Sequence, residues 1–283
     1  MLKFEKYQGA GNDFVIVNER DLIEKGIPDY NEFAAQICDR HYGIGADGLI
    51  ILKYVANMPF MFFFNSDGSQ APMCGNGIRC FSQYLTNNHL VDGNEFTVKT
   101  VPGDLTIRTS YDCENDVFNA RVNMGKPIFD VNKLINTEKE RFLKEKITVD
   151  GKEFEISYIF TGTDHSVIFV DEFDDKIINT FGKKIENYTE LFPKKVNVNF
   201  VKVYDKTHIE VITWERGAGR TLACGTGVTA AAVLSRIFGY TEYKVNVKVP
   251  GGQLVIEYDK EGDDAFMTGP SEKVAEGLYK YKR

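Results

Sequence analysis

The chain has 283 residues, of which 43% are hydrophobic and 27% are charged, so it is long enough for one large domain or for two domains of about 140 residues. Its formal net charge of −7 argues against a general nucleic-acid-binding protein. The sequence lacks an apolar run of about 18 residues, and its amino terminus lacks the apolar core and cleavage site of a signal peptide, so we expect neither a membrane span nor secretion.

The predicted strands are short runs of β-branched or aromatic residues bounded by turn residues. In chain order they cover residues 14–18, 49–54, 60–65, 96–100, 105–109, 117–123, 154–160, 167–170, 196–203, 208–214, 244–249 and 254–258. Helices are predicted at 31–38, 75–85 and 225–238, the last one ending at Gly239. The charged stretch 126–150 is predicted to be a connection or a peripheral element. Many strands around a few helices indicate an α+β fold.

An internal repeat organises the chain. The sequence CGNG at 74–77 recurs as CGTG at 224–227, which is 150 residues later, and GND at 11–13 recurs as GTD at 162–164. Asn65 and Glu215 also correspond, because each stands nine residues before its cysteine. These matches predict two copies of one fold unit with a break near residue 121.

The five cysteines are odd in number and widely spaced, unlike a secreted disulfide framework. We therefore expect free thiols and a cytoplasmic protein. No CxxC sequence or Cys/His cluster with zinc spacing occurs, so no metal site is predicted. Three of the cysteines are interpreted as small buried hydrophobic residues, namely Cys38, Cys80 and Cys113.

The other two cysteines, Cys74 and Cys224, each begin a predicted helix and are followed by glycines. A helix N-terminus carries free N–H groups and a partial positive charge, which should lower the pKa of a thiol and bind a carboxylate. Two such helices could hold the α-carbon of an amino acid between two sulfur atoms. One thiolate would remove the α-proton from one face, and the other thiol would return a proton to the opposite face. No lysine stands in a recognisable pyridoxal phosphate setting, so the pattern predicts a racemase or epimerase without a cofactor.

The sequence resembles the diaminopimelate epimerase family over nearly its whole length. The matching motifs are GAGNDF at 9–14, GIGADG at 43–48, NSDGS at 65–69, MCGNGIRCF at 73–81, VNVNF at 196–200, ERGAG at 215–219, ACGTG at 223–227, VPGG at 249–252 and MTGP at 267–270. The resemblance implies an α+β fold of two pseudo-symmetric domains, each a mostly antiparallel sheet wrapped round a central helix. It places one domain at 1–120, joined by 268–283, and the other at 121–267.

The resemblance implies an isomerase that epimerises LL-2,6-diaminopimelate to the meso form, in lysine and peptidoglycan precursor biosynthesis, with Cys74 and Cys224 as the acid/base pair. It assigns the reacting centre of the substrate to Asn12, Gly75, Asn76, Gly225 and Thr226. It assigns the distal end to Asn65, Asn197 and Arg216. His165 and Glu215 match groups placed near the thiols. An arginine fork such as that of Arg216 also suits a distal carboxylate on physical grounds.

One departure from the family lies at 162–165, where Gly-Thr-Asp-His replaces the frequent Gly-Asn-Pro-His. The hydroxyl of Thr163 can replace the hydrogen-bonding role that the resemblance gives to the asparagine. Asp164 adds a negative charge close to the predicted distal end of the substrate. The reaction type therefore follows more directly from the sequence than the substrate does.

Alternatives remain open at this point. A racemase of histidine or glutamate would use the same two thiols. A cysteine hydrolase or transferase, with Cys74 as nucleophile and His165 as base, leaves the second CGTG sequence unexplained. Phenazine-pathway isomerases of similar fold lack the cysteine pair, and a non-catalytic binding module would not need it. We expect a small-molecule amino-acid substrate, no nucleic-acid or membrane partner, and a homodimer as the oligomer to test.

Overall fold

The computed structural model describes residues 1–281 and divides the chain into two compact units. The amino-terminal unit contains Met1–Val122 together with residues 268–281, and the carboxy-terminal unit contains Asn123–Met267. Among the described residues, no helix is long and apolar enough to cross a membrane.

The amino-terminal unit begins with a hairpin and contains a long helix between two pairs of strands. Its elements are β1 (Leu2–Gly9), β2 (Asn12–Asn18), α1 (Glu19–Glu24), α2 (Tyr30–Cys38), β3 (Gly48–Val55), β4 (Met58–Asn65), β5 (Gln70–Ala71), α3 (Gly75–Asn87), β6 (Glu95–Thr100), β7 (Gly103–Asp112) and β8 (Val117–Gly125). Strand β8 carries the chain into the second unit.

The carboxy-terminal unit repeats the same kinds of elements. They are β9 (Glu145–Val149), β10 (Lys152–Phe160), β11 (Asp164–Phe169), α4 (Asp175–Glu186), β12 (Asn197–Val203), β13 (His208–Glu215), β14 (Gly219–Arg220), α5 (Gly225–Ile237), β15 (Lys244–Val249), β16 (Gly252–Glu257) and β17 (Ala265–Tyr279). Strand β17 returns the chain to the amino-terminal unit, where it pairs antiparallel with β1.

The strand pairing of the two units follows one scheme. In the first, β2 and β3 are parallel, β3 and β4 antiparallel, β4 and β6 parallel, and β6 and β7 antiparallel. In the second, β11 and β12 are parallel, β12 and β13 antiparallel, β13 and β15 parallel, and β15 and β16 antiparallel. In each unit the buried helix comes just before the second antiparallel pair of this scheme, α3 before β6–β7 and α5 before β15–β16. The predicted α+β fold of two pseudo-symmetric, mostly antiparallel domains is confirmed.

Helices α3 and α5 are the centres of their units. Each is 13 residues long, and most of its residues are buried. A helix can be buried on all sides only if its polar side chains find partners inside the protein. Ser82 and Ser235 do so by donating to the carbonyl oxygens four residues earlier, Ile78 O at 2.7 Å and Ala231 O at 2.8 Å.

The predicted helices at 31–38, 75–85 and 225–238 are confirmed within two residues at each end. Gly239 follows α5 with a φ of +71°, the left-handed conformation expected of a residue that ends a helix. Cys38 and Cys80 are buried as predicted, whereas the prediction was wrong for Cys113, which is exposed.

Helix α4 was missed because Gly182 interrupts its helical pattern. The structure explains this glycine, since a Cβ atom there would lie only 2.8 Å from Cγ of Trp214. Strand β9 lies within the stretch predicted to be a connection, and its Ile147 and Val149 are buried against β10. Strand β17 contains Gly, Pro and charged residues, and its pairing with β1 makes it a strand.

Candidate active site

Cys74 is the N-cap residue of α3. Its backbone is extended (φ −132°), and its half-buried Sγ accepts a hydrogen bond from the backbone N–H of Gly77 at 3.4 Å. A Cβ atom at position 77 would lie 3.3 Å from Cβ of Cys74, so glycine leaves room around the thiol. The predicted placement of this cysteine at the start of a helix is confirmed.

The first turn of α3 contacts Asn12, as the sequence motifs suggested. Asn76 is buried, and its Nδ2 donates to Oδ1 of Asn12 at 2.6 Å. Asn12 in turn donates from Nδ2 to Oδ2 of Asp47 at 3.0 Å, and Arg40 donates to the other oxygen of Asp47. This network orients both asparagines beside the α3 N-terminus.

Asn65 and Gly75 complete the predicted residues of this unit. Asn65 is exposed at the end of β4, pairs with Gly48 of β3, and donates from Nδ2 to Oγ of Ser69 at 3.0 Å. Gly75 begins α3, and its carbonyl oxygen accepts from Nη1 of the fully buried Arg79 at 3.0 Å.

Cys224 is the N-cap residue of α5, but its surroundings differ from those of Cys74. Its Sγ lies 3.5 Å from Oγ1 of Thr226, and the Glu215 carboxylate is near enough to act on the charge of the thiol. Burial, and then the Glu215 carboxylate, raise the pKa of Cys224 well above its ordinary value. The expectation that the helix N-terminus lowers this thiol's pKa is therefore wrong, because desolvation of a thiolate outweighs the helix dipole here.

Glu215 stands at the end of β13 and accepts from Oγ1 of Thr221 at 2.6 Å. Burial raises the pKa of its carboxyl group, while hydrogen bonds from Thr221 and Cys224 act in the opposite direction. Gly225 opens α5, and its carbonyl oxygen accepts from Oγ1 of Thr229 at 2.9 Å. A carboxyl group beside a protonated thiol can exchange a proton with it or hold its orientation.

His165 is fully buried and reaches the thiol only through Thr226. Its Nε2 lies 2.9 Å from Oγ1 of Thr226, and its Nδ1 lies 3.2 Å from the amide nitrogen of Asn199. Because that amide donates, Nδ1 accepts and Nε2 carries the proton. Burial, helped by the charge of Arg216, lowers the pKa of His165 to about 3, so the imidazole is neutral near pH 7.

The predicted distal residues of this unit are joined in a second network. Asn197 donates from Nδ2 to Oγ1 of Thr163 at 3.1 Å, and its Oδ1 accepts from the backbone N–H of Arg216 at 2.9 Å. The Arg216 guanidinium donates from Nη1 to Oδ2 of Asp164 at 3.4 Å and to the carbonyl oxygen of Lys194 at 2.8 Å.

Sequence reasoning missed several residues that organise these networks. They are Asp47, Asn199, Thr221, Arg79 and Tyr158, whose hydroxyl donates to Oδ1 of Asp164. Asn199 had a visible signal, because it is the second of two asparagines on one otherwise apolar face of a strand, and both are buried. Asp47 lies 35 residues from its partner Asn12, whereas Arg79, Tyr158 and Thr221 contact groups only four to six residues away. In residues 1–281, no group of three or more His, Cys, Asp or Glu side chains is arranged to hold a metal ion.

Comparison with known proteins places the chain in a family. A family model described as diaminopimelate epimerase matches residues 4–129 and 157–274. The chain belongs to the diaminopimelate epimerase family. The resemblance that the motifs indicated is thus confirmed.

Relatives named diaminopimelate epimerase align over almost their whole length. The protein of Caldanaerobacter subterraneus subsp. tengcongensis is 40% identical over 280 residues, covering 98% of each chain. That of Alkaliphilus metalliredigens is 41% identical, covering 98% of this chain and 97% of the relative.

Solved structures of distant proteins share the fold of this epimerase-family chain. A phenazine biosynthesis protein of the PhzF family from Bacillus anthracis has a TM-score of 0.68 at 15% identity, with 99% of each chain covered. A hydroxyproline epimerase from Agrobacterium vitis has a TM-score of 0.67 at 11% identity, covering 98% of this chain and 90% of the other. These two likenesses show the fold alone.

Proposed function

We propose that this protein is an isomerase that converts LL-2,6-diaminopimelate into meso-diaminopimelate by inverting one α-carbon, and that it does so without a cofactor. One observation carries the proposal. In a chain of the diaminopimelate epimerase family, each of two similar units places a cysteine at the N-cap of its buried central helix. The proposed reaction serves lysine and peptidoglycan precursor biosynthesis.

In the proposed mechanism, Cys74 and Cys224 act on opposite faces of the same α-carbon. Burial and Glu215 keep the thiol of Cys224 protonated, which supports Cys224 as the proton donor before the reaction begins. Cys74 is supported as the resting base, because its Sγ already accepts a backbone N–H at the positive end of α3. After one turnover the proton has moved from Cys224 to the product, and Cys74 holds the proton that it removed. The reverse reaction starts from that state.

The remaining roles follow from the same helix ends. We propose that the first-turn N–H groups of Gly75 and Asn76 in α3, and of Gly225 and Thr226 in α5, bind the α-carboxylate and stabilise the negative charge that develops when the α-proton leaves. Asn12 would orient the amino acid beside α3.

The distal end of the substrate requires a separate set of side chains. We propose that Arg216 binds the distal carboxylate, with Asn197, Thr163 and Asn65 completing the polar surroundings. An arginine fork forms two parallel hydrogen bonds with a carboxylate, which favours a substrate with a second carboxylate over histidine.

His165 is proposed to act as a neutral relay partner of Thr226 beside Cys224. Its two ring nitrogens already lie within hydrogen-bond distance of Thr226 and Asn199, and the imidazole resists protonation. This arrangement weakens the alternative of a hydrolase in which His165 activates Cys74.

The decisive experiment is incorporation of deuterium at the α-carbon in ²H₂O, followed by mass spectrometry and chiral analysis. LL-diaminopimelate should exchange and invert without bond cleavage, and L-lysine, L-histidine and L-glutamate should react at least about 100-fold more slowly. Cys74→Ala and Cys224→Ala should each abolish inversion, whereas Cys113→Ala, at the exposed cysteine, should not. Inversion of histidine or glutamate with no exchange of LL-diaminopimelate would show that the proposed substrate is wrong.

We further propose that the protein works in the cytoplasm on a small amino acid, with neither nucleic acid nor membrane as a partner. The widely spaced cysteines and the net charge of −7 support this proposal. The homodimer is the assembly we propose to test, by light scattering coupled to size-exclusion chromatography.

A further inference from the structure

The Arg216 guanidinium is held from one side only. Both of its hydrogen bonds leave from Nη1, to Asp164 and to the carbonyl oxygen of Lys194. Among residues 1–281, Nε and Nη2 have no hydrogen-bond partner, and the side chain is 38% exposed. The edge of the guanidinium that can form two parallel bonds to a carboxylate is therefore the edge that the protein leaves open.

Asp164 lies beneath this guanidinium and is itself fixed. Its side chain is only 11% exposed, and its Oδ1 accepts from the hydroxyl of the fully buried Tyr158 at 2.5 Å. Its neighbour His165 points its ring to Thr226. Because consecutive side chains of a strand point to opposite faces, Asp164 lies on the face of β11 away from that contact. Asp164 thus supports Arg216 from behind and does not face the reacting group.

We propose that Asp164, held by Tyr158, is a positioning residue that fixes the guanidinium of Arg216 so that its Nε–Nη2 edge receives the distal carboxylate of the substrate. This inference rests on the proposed function. It assigns a role to the Asp164 side chain, and it also accounts for the negative charge that the sequence placed near the distal end. That charge is bound to Arg216 on the side away from the carboxylate.

The physical reason is the entropy of a long side chain. A free arginine samples many rotamers and loses them when it binds a carboxylate. An Arg216 already held at Nη1 by Asp164 and by the carbonyl oxygen of Lys194 loses fewer of them. Removing the charge of Asp164 should therefore weaken the binding of the distal carboxylate by Arg216. The effect should be largely absent when residue 216 is not an arginine.

A double-mutant cycle on LL-diaminopimelate tests the proposal, with initial rates of α-deuteration as the readout. Asp164→Asn should lower kcat/KM about tenfold, chiefly by raising KM, in line with the loss of a charge-assisted hydrogen bond. In an Arg216→Lys background the same change should lower kcat/KM less than twofold, because lysine has no planar fork to orient. The matched control is Asp175→Asn, which breaks the exposed Asp175–Arg220 pair and should leave KM unchanged.

The same factor of loss in both backgrounds would overturn the proposal, since it would mean that Asp164 acts on the fold and not through Arg216. If Asp164→Asn does not fold, Tyr158→Phe keeps the carboxylate and removes only its hydroxyl donor. Tyr158→Phe should raise KM two- to fivefold in the protein that keeps Arg216 and not in Arg216→Lys. An unchanged KM in the protein that keeps Arg216 would also overturn the proposal. Absence of any deuteration by the unaltered protein would instead refute the proposed function.

Discussion

The buried neutral His165 should make the stability of the carboxy-terminal unit depend on pH. Its pKa is lowered to about 3 in the folded protein, against about 6.5 in an unfolded chain. Only the unfolded chain binds the proton readily, so the stabilisation is complete above pH 6.5 and is lost progressively as the pH falls toward 3. Each pKa unit corresponds to about 1.4 kcal/mol, so going from pH 7.5 to pH 5.0 should remove about 2 kcal/mol.

The test compares the unaltered protein with His165→Gln, which has no group that titrates in this range. Urea unfolding would be followed by the fluorescence of Trp214, the single tryptophan of the chain, which lies in the carboxy-terminal unit. Its indole N–H donates to Glu186 at 2.8 Å, so its emission should change when this unit unfolds. The unaltered protein should lose about 2 kcal/mol more than the variant between the two pH values.

Subtracting the loss of stability in His165→Gln from the loss in the unaltered protein removes the contribution of carboxyl groups that titrate in both proteins. His41→Gln is the matched control, because it makes the same substitution at an exposed histidine. An equal loss of stability in the unaltered protein and in His165→Gln would refute the reasoning, since it would show that the imidazole takes up a proton in the folded state.

Three other predictions concern the same unit. Glu215→Gln should speed iodoacetamide alkylation of Cys224 about three- to tenfold at pH 8.5, because the carboxylate that raises the thiol's pKa is gone; an unchanged rate by peptide mass spectrometry would contradict this. Gly227→Ala should cost about 1–3 kcal/mol or more in urea unfolding, because its Cβ would lie 2.3 Å from Oδ1 of Asn199; an unchanged midpoint would show that the helix can shift. Asp174→Ala removes the N-cap bonds of α4 and should lower the unfolding free energy by about 1 kcal/mol, whereas Asp174→Asn should retain most of it.

The elements that the sequence predicted are those with local signals. Helices α3 and α5 have a cysteine N-cap, glycines in the first turn and apolar spacing, and most strands are apolar runs between turns. Strand β17 depends on pairing with β1, and helix α4, which does have an Asp174 N-cap, contains Gly182 to accommodate Trp214. Residues far apart in sequence decide both.

The sequence by itself determined the family, the two similar units and the position of a cysteine at the start of each central helix, because motifs, glycines and helix caps act over a few neighbouring residues. The tertiary structure alone decided the chemical state of the groups around those helices. Burial and Glu215 raise the pKa of Cys224, burial keeps His165 neutral, and folding brings Asp164 onto Arg216. Desolvation and charge pairing depend on what lies within a few ångströms in space, and the order of residues along the chain does not specify those neighbours.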